Sequence, residues 1–188
     1  MSFSNIYIDT KLRTGDWWGN AEPIHISAIR GKENVKLGVI RNLQFSNITC
    51  KGENGILVYG CKESVIQDVS FDRISFELTD SPLNDVAGGN VDLRGCMGAE
   101  NGLFSREIPA FLVHYANNTS INHFNLKWTG TRMPYFTHGI EANHFSGLRV
   151  TDFSGTASPV NKTAHKIYVE NCTGFFTDDA KDAAQKNK

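Results

Sequence analysis

A nine-residue pattern of apolar and polar positions recurs along this chain, in the form apolar-x-x-apolar-x-apolar-x-x-apolar. Self-similarity at a regular spacing is typical of solenoids, in which each repeat buries its apolar face only against its neighbours. Met1, Phe3 and Ile6 fit only the last three positions. The chain is therefore expected to begin partway through a repeat, either because it is a fragment or because something else covers its first coil. The clear copies span residues 40–48, 66–74 and 145–153, with a looser copy at 121–126.

Short apolar-x-apolar runs alternate with the long patterns, and Gly, Asn, Ser and Thr punctuate both kinds. This pattern predicts short strands joined by tight turns, and therefore an all-β fold. Short and long strands that alternate coil after coil predict a parallel β-helix of several coils, with like strands stacked about 4.8 Å apart. The β-helix domain is expected over residues 1–175, and a polar tail, frayed or forming a short helix, over 176–188. The short runs are 24–26, 56–58, 91–93, 111–113 and 140–142.

Insertions break the period and are expected to leave the stack as loops, which in solenoids often gather on one binding face. They span residues 9–22, 79–90 and 95–109. Two columns of polar residues along the long strands are interpreted as turn and surface positions. One column holds Asn42, Asp68, His123 and Gly147, and the other holds Asn47, Arg73 and Asp152.

The amino-acid composition argues against several classes of function. Lys and Arg number 19 against 20 Asp and Glu, so no basic field would attract nucleic acid or an anionic membrane. No apolar run reaches the length of a membrane span. The first residues lack the charged-then-apolar layout of a signal peptide, so the localisation stays unknown from the chain itself.

The cysteines are interpreted as structural, stacked towards the interior, and a disulfide stays open as the alternative. Cys61, Cys96 and Cys172 each close a short apolar run, where a thiol acts as a small hydrophobe. No C-x-x-C pair exists, which argues against a metal site and against dithiol chemistry. We therefore expect no metal and no cofactor.

Several segments, in this order, resemble the C-terminal half of glycoside hydrolase family 28, the polygalacturonase-like enzymes, in their bacterial branch. The resemblance continues to about Phe175. The segments are Gly15-Asp-Trp-Trp-Gly, Glu22-Pro-Ile-His-Ile-Ser, Ile40-Arg-Asn-Leu-Gln-Phe-Ser-Asn-Ile, Asp92-Leu-Arg-Gly-Cys, Trp128 and Phe136-Thr-His-Gly-Ile-Glu.

The resemblance implies a right-handed parallel β-helix that acts on pectic or related polysaccharides by inverting hydrolysis, in a secreted or periplasmic protein. The family's catalytic set is Asn-Thr-Asp, a paired Asp-Asp, Gly-His-Gly and Arg-Ile-Lys, in that order. His138-Gly139 lacks the leading glycine, and Asp178-Asp179 follows it rather than preceding it. No catalytic residue is therefore carried over. The chain is expected to be the C-terminal β-helix portion of such a hydrolase, inactive alone.

A hydrolytic pair of a different kind would have to lie among the outward positions of the short strands. Inverting hydrolysis needs two carboxyl groups about 6.5–9.5 Å apart. Asp92 and Glu141 are expected in one column, with one coil between them and a separation of about 9.6 Å. That is slightly too far. No Ser/His/Asp set and no Gly-rich phosphate loop stands out.

A polar, aromatic-lined groove is the preferred candidate for a binding site. Trp17 and Trp18 could stack on sugar faces, or fold back and cover the solenoid. Arg94 could pair with a uronate carboxylate, or form a salt bridge to Asp92 or Glu22. Tyr135 and His138 are expected to line one end. The substrate-binding candidates are Trp17, Trp18, Glu22, Asp92, Arg94, His114, Tyr135, His138 and Glu141.

Two further hypotheses stay open. One is a non-catalytic carbohydrate-binding or assembly module, which covers its open first coil by pairing with another chain or another copy of itself. The other is a self-contained enzyme whose site is formed by Asp92, Arg94, His114 and Glu141.

Overall fold

Strands dominate this chain in the computed structural model, which describes residues 1–15, 19–30, 34–93 and 102–186. The helical segments include one turn at Asn84–Ala87 (α1) and a 3-10 turn at Ala180–Asp182. The strands are β1 (Ser2–Asp9), β2 (His25–Ser27), β3 (Arg41–Gly52), β4 (Ile56–Tyr59), β5 (Ile66–Thr79), β6 (Asn90–Asp92), β7 (Leu103–Ser105), β8 (Phe111–His114), β9 (Ala116–Thr129), β10 (Ile140–Thr151), β11 (Ile167–Thr177) and β12 (Ala183–Lys186).

Most of the strands form one curled sheet, and every pairing in it is parallel. A row of long strands runs β1-β3-β5-β9, and a row of short strands runs β2-β4-β8. The rows meet at β10, whose first residues pair with β8 and whose last residues pair with β9. The prediction of a mostly β chain built from parallel strands of two kinds is confirmed.

The apolar pattern sets the register of the long row. Phe45 lies opposite Phe71, and Ile48 lies opposite Ile74, as the repeat predicts. The rings of Phe3, Phe45 and Phe71 stack in succession with centroids 4.9 Å apart. Like apolar side chains therefore stack on one another from strand to strand along the long row.

Residues with a positive φ at the corners of the long strands also align from one strand to the next. Asn42, Asp68 and Asn118 occupy equivalent places and have φ of 58°, 55° and 51°. Asn and Asp tolerate this region better than other residues with a Cβ. Gly147 continues the column with φ 73°.

The expected position of His123 is wrong, because it lies opposite Arg73 in the other column of corners. The copy at 121–126 is displaced along the repeat. Thr119 takes the fourth apolar position opposite Val69, so Ile121 falls at the sixth position rather than the first. A polar residue at a buried position hid the true start of this copy.

The expected stacking of residues 91–93 in the short row is also wrong. Strand β4 pairs directly with β8, with Ile56 opposite Phe111. Strand β6 pairs instead with β7, antiparallel, in a separate two-stranded sheet. Strands β6 and β7 therefore lie outside the two rows, and Asp92 does not share a column with Glu141.

The polar end of the chain contributes to the sheet. Strand β11 runs through Thr177, and beyond the 3-10 turn β12 pairs with the first half of β11 in parallel. The described part of the segment expected as a tail therefore forms a 3-10 turn and then a strand that was not predicted.

Candidate functional site

A cleft of about 1060 Å³ lies beside β2 at one end of the short row. The side chains of His25 and Ser27 belong to its lining, because alternate residues of a strand face the same side. Segments 9–15, 19–22 and 86–93 supply most of the remaining wall. The cleft is therefore built where loops that leave the curled sheet meet the face of β2.

Amide side chains tie these loops together. The Nδ2 atom of Asn20 donates to the carbonyl oxygens of Ala87, at 2.9 Å, and Asn90, at 3.0 Å. The Nδ2 atom of Asn54 donates to the carbonyl oxygens of Asn20, at 2.8 Å, and Asn90, at 3.1 Å. Backbone groups that would otherwise lack partners are satisfied in this way, so the wall of the cleft is fixed by hydrogen bonds rather than by packing alone.

Charges of both signs line the cleft. Asp92 is buried, with 2 % of its surface exposed. The Nζ atom of Lys11 lies 3.8 Å from Oε1 of Glu53 and 3.9 Å from Oδ1 of Asp9. Arg13 is exposed and forms no ion pair among the residues that the structure describes. The cleft thus combines buried carboxylates with an exposed guanidinium in one polar space.

Glu22 has the most constrained carboxylate of the cleft, with a side chain only 3 % exposed. One oxygen, Oε2, accepts the backbone N–H of Asn20 at 2.5 Å and lies 3.6 Å from Nδ1 of His25. The other oxygen, Oε1, has no hydrogen-bond partner in the described part of the chain. A buried acceptor left unpaired is unfavourable by about 1–3 kcal/mol, so this oxygen is a natural acceptor for a hydroxyl group or a water.

A second polar cluster surrounds Arg106, farther along the short row. Its Nη2 atom lies 2.5 Å from Oε1 of Glu141, which also accepts from Nδ2 of Asn143 at 3.2 Å. Nδ1 of His114 contacts Oδ1 of Asn143, and the His114 ring packs on Tyr59 with centroids 4.4 Å apart. We call Arg106, His114, Glu141 and Asn143 the Arg106 cluster.

Burial controls the protonation of the Arg106 cluster. It raises the pKa of Glu141, and the positive charge of Arg106 partly opposes that effect. Burial also lowers the pKa of His114, while the hydrogen bond to Asn143 opposes the decrease. The histidine is therefore biased towards its neutral form.

The other two predicted residues that the structure describes lie outside the cleft. Tyr135 covers Gly88 and Gly89 and donates to Oδ1 of Asn84 at 2.8 Å. His138 stacks on Tyr168 with centroids 4.7 Å apart, and its Nδ1 accepts the backbone N–H of His165 at 2.9 Å. Burial lowers the pKa of His138 to about 4.

The predicted residues are thus divided rather than gathered in one groove. Glu22 and Asp92 line the cleft, and His114 and Glu141 meet through Asn143. Trp17, Trp18 and Arg94 lie outside the described residues.

Sequence reasoning missed Arg106 and the pairing of Glu22 with His25 and Ser27. Arg106 lies in an insertion without periodicity, so no sequence signal placed it near Glu141. For the second group the signal was present, since the segment Glu22-x-x-His25-x-Ser27 puts His25 and Ser27 two apart on a strand.

Within the described ranges, no group of three or more His, Cys, Asp or Glu side chains could hold a metal ion. No helix in the same part of the chain has the length and apolar character needed to cross a membrane.

Comparisons of the chain with models of known protein families, with curated proteins and with solved structures found no match.

Proposed function

We propose that the chain is a right-handed parallel β-helix that corresponds to the C-terminal portion of a polygalacturonase-like glycoside hydrolase, and that it binds a pectic or related polysaccharide without cleaving it. Parallel stacking of short and long strands in two rows supports the fold. The order of the resembling segments supports the family.

The observation that carries the binding proposal is the polar cleft. The Oε1 atom of Glu22, which has no hydrogen-bond partner in the described part of the chain, can accept a hydrogen bond from a sugar hydroxyl. The guanidinium of Arg13 can bind a uronate carboxylate through two parallel N–H bonds. Most ligand sites combine shape with a few fixed polar groups of this kind.

The lack of cleavage rests on the carboxylates that are present. The family's four catalytic motifs are absent from the sequence. Asp92 and Glu141 belong to different sheets, so they do not form the stacked pair that the sequence allowed. Glu141 is held in an ion pair with Arg106 and accepts a hydrogen bond from Asn143, so its carboxylate is already engaged by partners within the protein.

Affinity gel electrophoresis with polygalacturonate tests the binding. The mobility of the protein is expected to fall as polygalacturonate is added, and the Arg13→Ala variant is expected to bind about tenfold more weakly, because one charge-assisted contact is lost. Arg149→Ala is the matched control, since Arg149 lies over the ring of Phe176 at 4.3 Å rather than in the cleft. Unaltered mobility of the wild-type protein would contradict the proposal.

A reducing-sugar assay on the same polymer tests the absence of cleavage. We expect no release above that of a heat-inactivated sample. Turnover at ordinary enzyme rates, about 1–10³ per second, would show that the chain is a hydrolase with a site of its own.

An assembly module is the second candidate, and the apolar end of the solenoid favours it. A cavity of about 510 Å³ opens between β1 and β2 and is lined largely by apolar residues. Both strands lie at the ends of the sheet, where unpaired backbone groups can add a strand from a second copy. Sedimentation velocity is expected to show a concentration-dependent dimer that Ile8→Lys abolishes. The control Val160→Lys, at an exposed residue that does not line the cavity, should leave the dimer unchanged. A monomer at all concentrations would exclude this candidate.

A further inference from the structure

Three side chains in the cleft adopt the order of a nucleophile, a base and an orienting acid. Oγ of Ser27 lies 3.2 Å from Nε2 of His25. Nδ1, on the opposite side of the same ring, lies 3.6 Å from Oε2 of Glu22. All three residues line the cleft. The serine and the acid therefore contact different nitrogens of one imidazole.

We propose that Ser27, His25 and Glu22 form a catalytic triad that hydrolyses carboxylic esters, an activity that does not depend on polysaccharide binding. A triad is recognised by geometry and roles rather than by order in the sequence. The Ser–His distance is at the outer limit of hydrogen-bond reach, and the His–Glu distance exceeds it. Catalytic hydrogen bonds are often longer before substrate binds.

The environment of Glu22 suits an orienting acid. Its side chain is almost fully buried, and the backbone N–H of Asn20 holds Oε2 in place beside the imidazole. An ionised carboxylate there favours the tautomer with hydrogen on Nδ1. Nε2 is then an acceptor that faces the Ser27 hydroxyl, as a general base requires.

Gly19 allows the loop to approach this pair. A Cβ at Gly19 would lie 3.1 Å from Oε2 of Glu22 and 3.6 Å from Nδ1 of His25, and the backbone φ is +80°. Any other residue would crowd the acid and strain the backbone. The loop is thus shaped around the contact between the acid and the histidine.

The cleft provides access and positive charge. Its volume of about 1060 Å³ accommodates a drug-sized molecule, and Ser27 is only partly buried. Lys11 and Arg13 line the same space, where a cation stabilises the negative oxygen that forms on an ester carbonyl.

The reaction balances without any further reagent. The Oγ atom of Ser27 attacks the ester carbonyl carbon while its proton passes to Nε2 of His25. The C–O bond to the alcohol breaks, and the alcohol leaves with that proton. Water then attacks the acyl-serine in the same way, which releases the carboxylic acid and restores the serine.

Covalent labelling gives the first test. Incubation of the whole protein with diisopropyl fluorophosphate, followed by mass spectrometry of peptides, is expected to place one diisopropylphosphoryl group on Ser27 with loss of fluoride. Ser27→Ala and His25→Asn should abolish labelling at neutral pH. An unlabelled Ser27 in the wild-type protein would overturn the proposal.

Hydrolysis of p-nitrophenyl acetate gives the second test, and it separates the triad from general imidazole reactivity. We expect at least a hundredfold loss in Ser27→Ala and His25→Asn and a loss of about tenfold or more in Glu22→Gln. Ser70→Ala, on the long strand β5, and His123→Gln, whose ring lies between Asp72 and Asp152, are the matched controls and should retain wild-type rates. Circular dichroism verifies that the variants are folded. Equal rates in the wild-type protein and Ser27→Ala would refute the triad, whether or not polygalacturonate binds.

Discussion

A single residue just before β10, His138, has an environment that its neighbours in sequence do not reveal. His138 was expected to line one end of a groove. In the structure its ring is half-buried against Tyr168, and the backbone N–H of His165 occupies its Nδ1 atom. A charged imidazole would lose hydration at this position, which is why burial lowers its pKa.

His138 should therefore make the protein less stable in mild acid. Between its unfolded pKa of 6.5 and its folded pKa of about 4, the unfolded chain binds the proton and the folded chain does not. The free energy of unfolding consequently falls as the pH decreases through this range. After allowance for partial solvent exposure, we expect a loss of about 1–2 kcal/mol from this histidine.

Urea unfolding at several values of pH between 4 and 7 measures this dependence. His138→Gln is expected to flatten the profile relative to the wild-type protein, because glutamine does not titrate. His123→Gln should leave the contribution of His138 unchanged. A His138→Gln profile parallel to that of the wild-type protein would contradict the assignment.

At the scale of the elements, the corners within the long strands are as regular as the strand pairing itself. Equivalent corner positions repeat a positive φ from coil to coil, and Asn or Asp occupies most of them. Gly147 holds the same place as Asn118 one coil earlier. The need for left-handed backbone, rather than a need for space, explains this glycine, because a Cβ at this position would meet only atoms of Asn118, at 3.7 Å.

Replacement of Gly147 separates these two causes. Gly147→Ala is expected to lower the free energy of unfolding by about 1–2 kcal/mol, since alanine is strained at positive φ. Gly147→Asn should cost less. Gly38→Ala is the matched control, because nothing lies within 4 Å of its Cβ and its φ is outside the left-handed region; chemical denaturation should show no loss there. Equal losses in the alanine and asparagine variants would argue for a steric cause.

The register of the strands was largely predictable from the sequence, but one copy was displaced. The repeats at 40–48 and 66–74 align residue for residue, as Phe45 opposite Phe71 shows. In β9 the buried Thr119 interrupts the apolar positions. A hydroxyl group in the core gives no hydrophobic signal, so sequence reasoning chose the wrong start for that copy.

At the scale of the whole molecule, phenylalanine rings from several strands contact one another in a continuous series. Phe45 lies between Phe3 and Phe71, and Phe71 contacts Phe111, which contacts Phe124. The interior rings are fully buried, whereas Phe3 at the first strand is only partly buried. Stability should therefore depend on where along the stack a ring is removed.

Replacement of single phenylalanines in this series by alanine tests that dependence. Phe71→Ala is expected to lower the free energy of unfolding by about 3–5 kcal/mol, because it leaves a cavity between coils. Phe3→Ala should cost about 1–2 kcal/mol, since its ring has fewer neighbours to lose. The exposed Val39 provides a control, with a change of less than about 0.5 kcal/mol expected for Val39→Ala. Equal losses at Phe71 and Phe3, measured by urea titration, would show that the end of the stack is as tightly packed as its middle.

The parallel stacking of two kinds of strand could be inferred from the amino-acid sequence alone, because that information is periodic and each coil meets only its neighbours. Only the tertiary structure decides which functional groups come into contact. Arg106 reaches Glu141 across 35 residues of sequence, and Asp92 leaves the column of Glu141 for a separate sheet. These contacts arise where insertions fold back onto the outward strand face. No repeat governs an insertion, so its position depends on the hydrogen bonds and charges that it finds there.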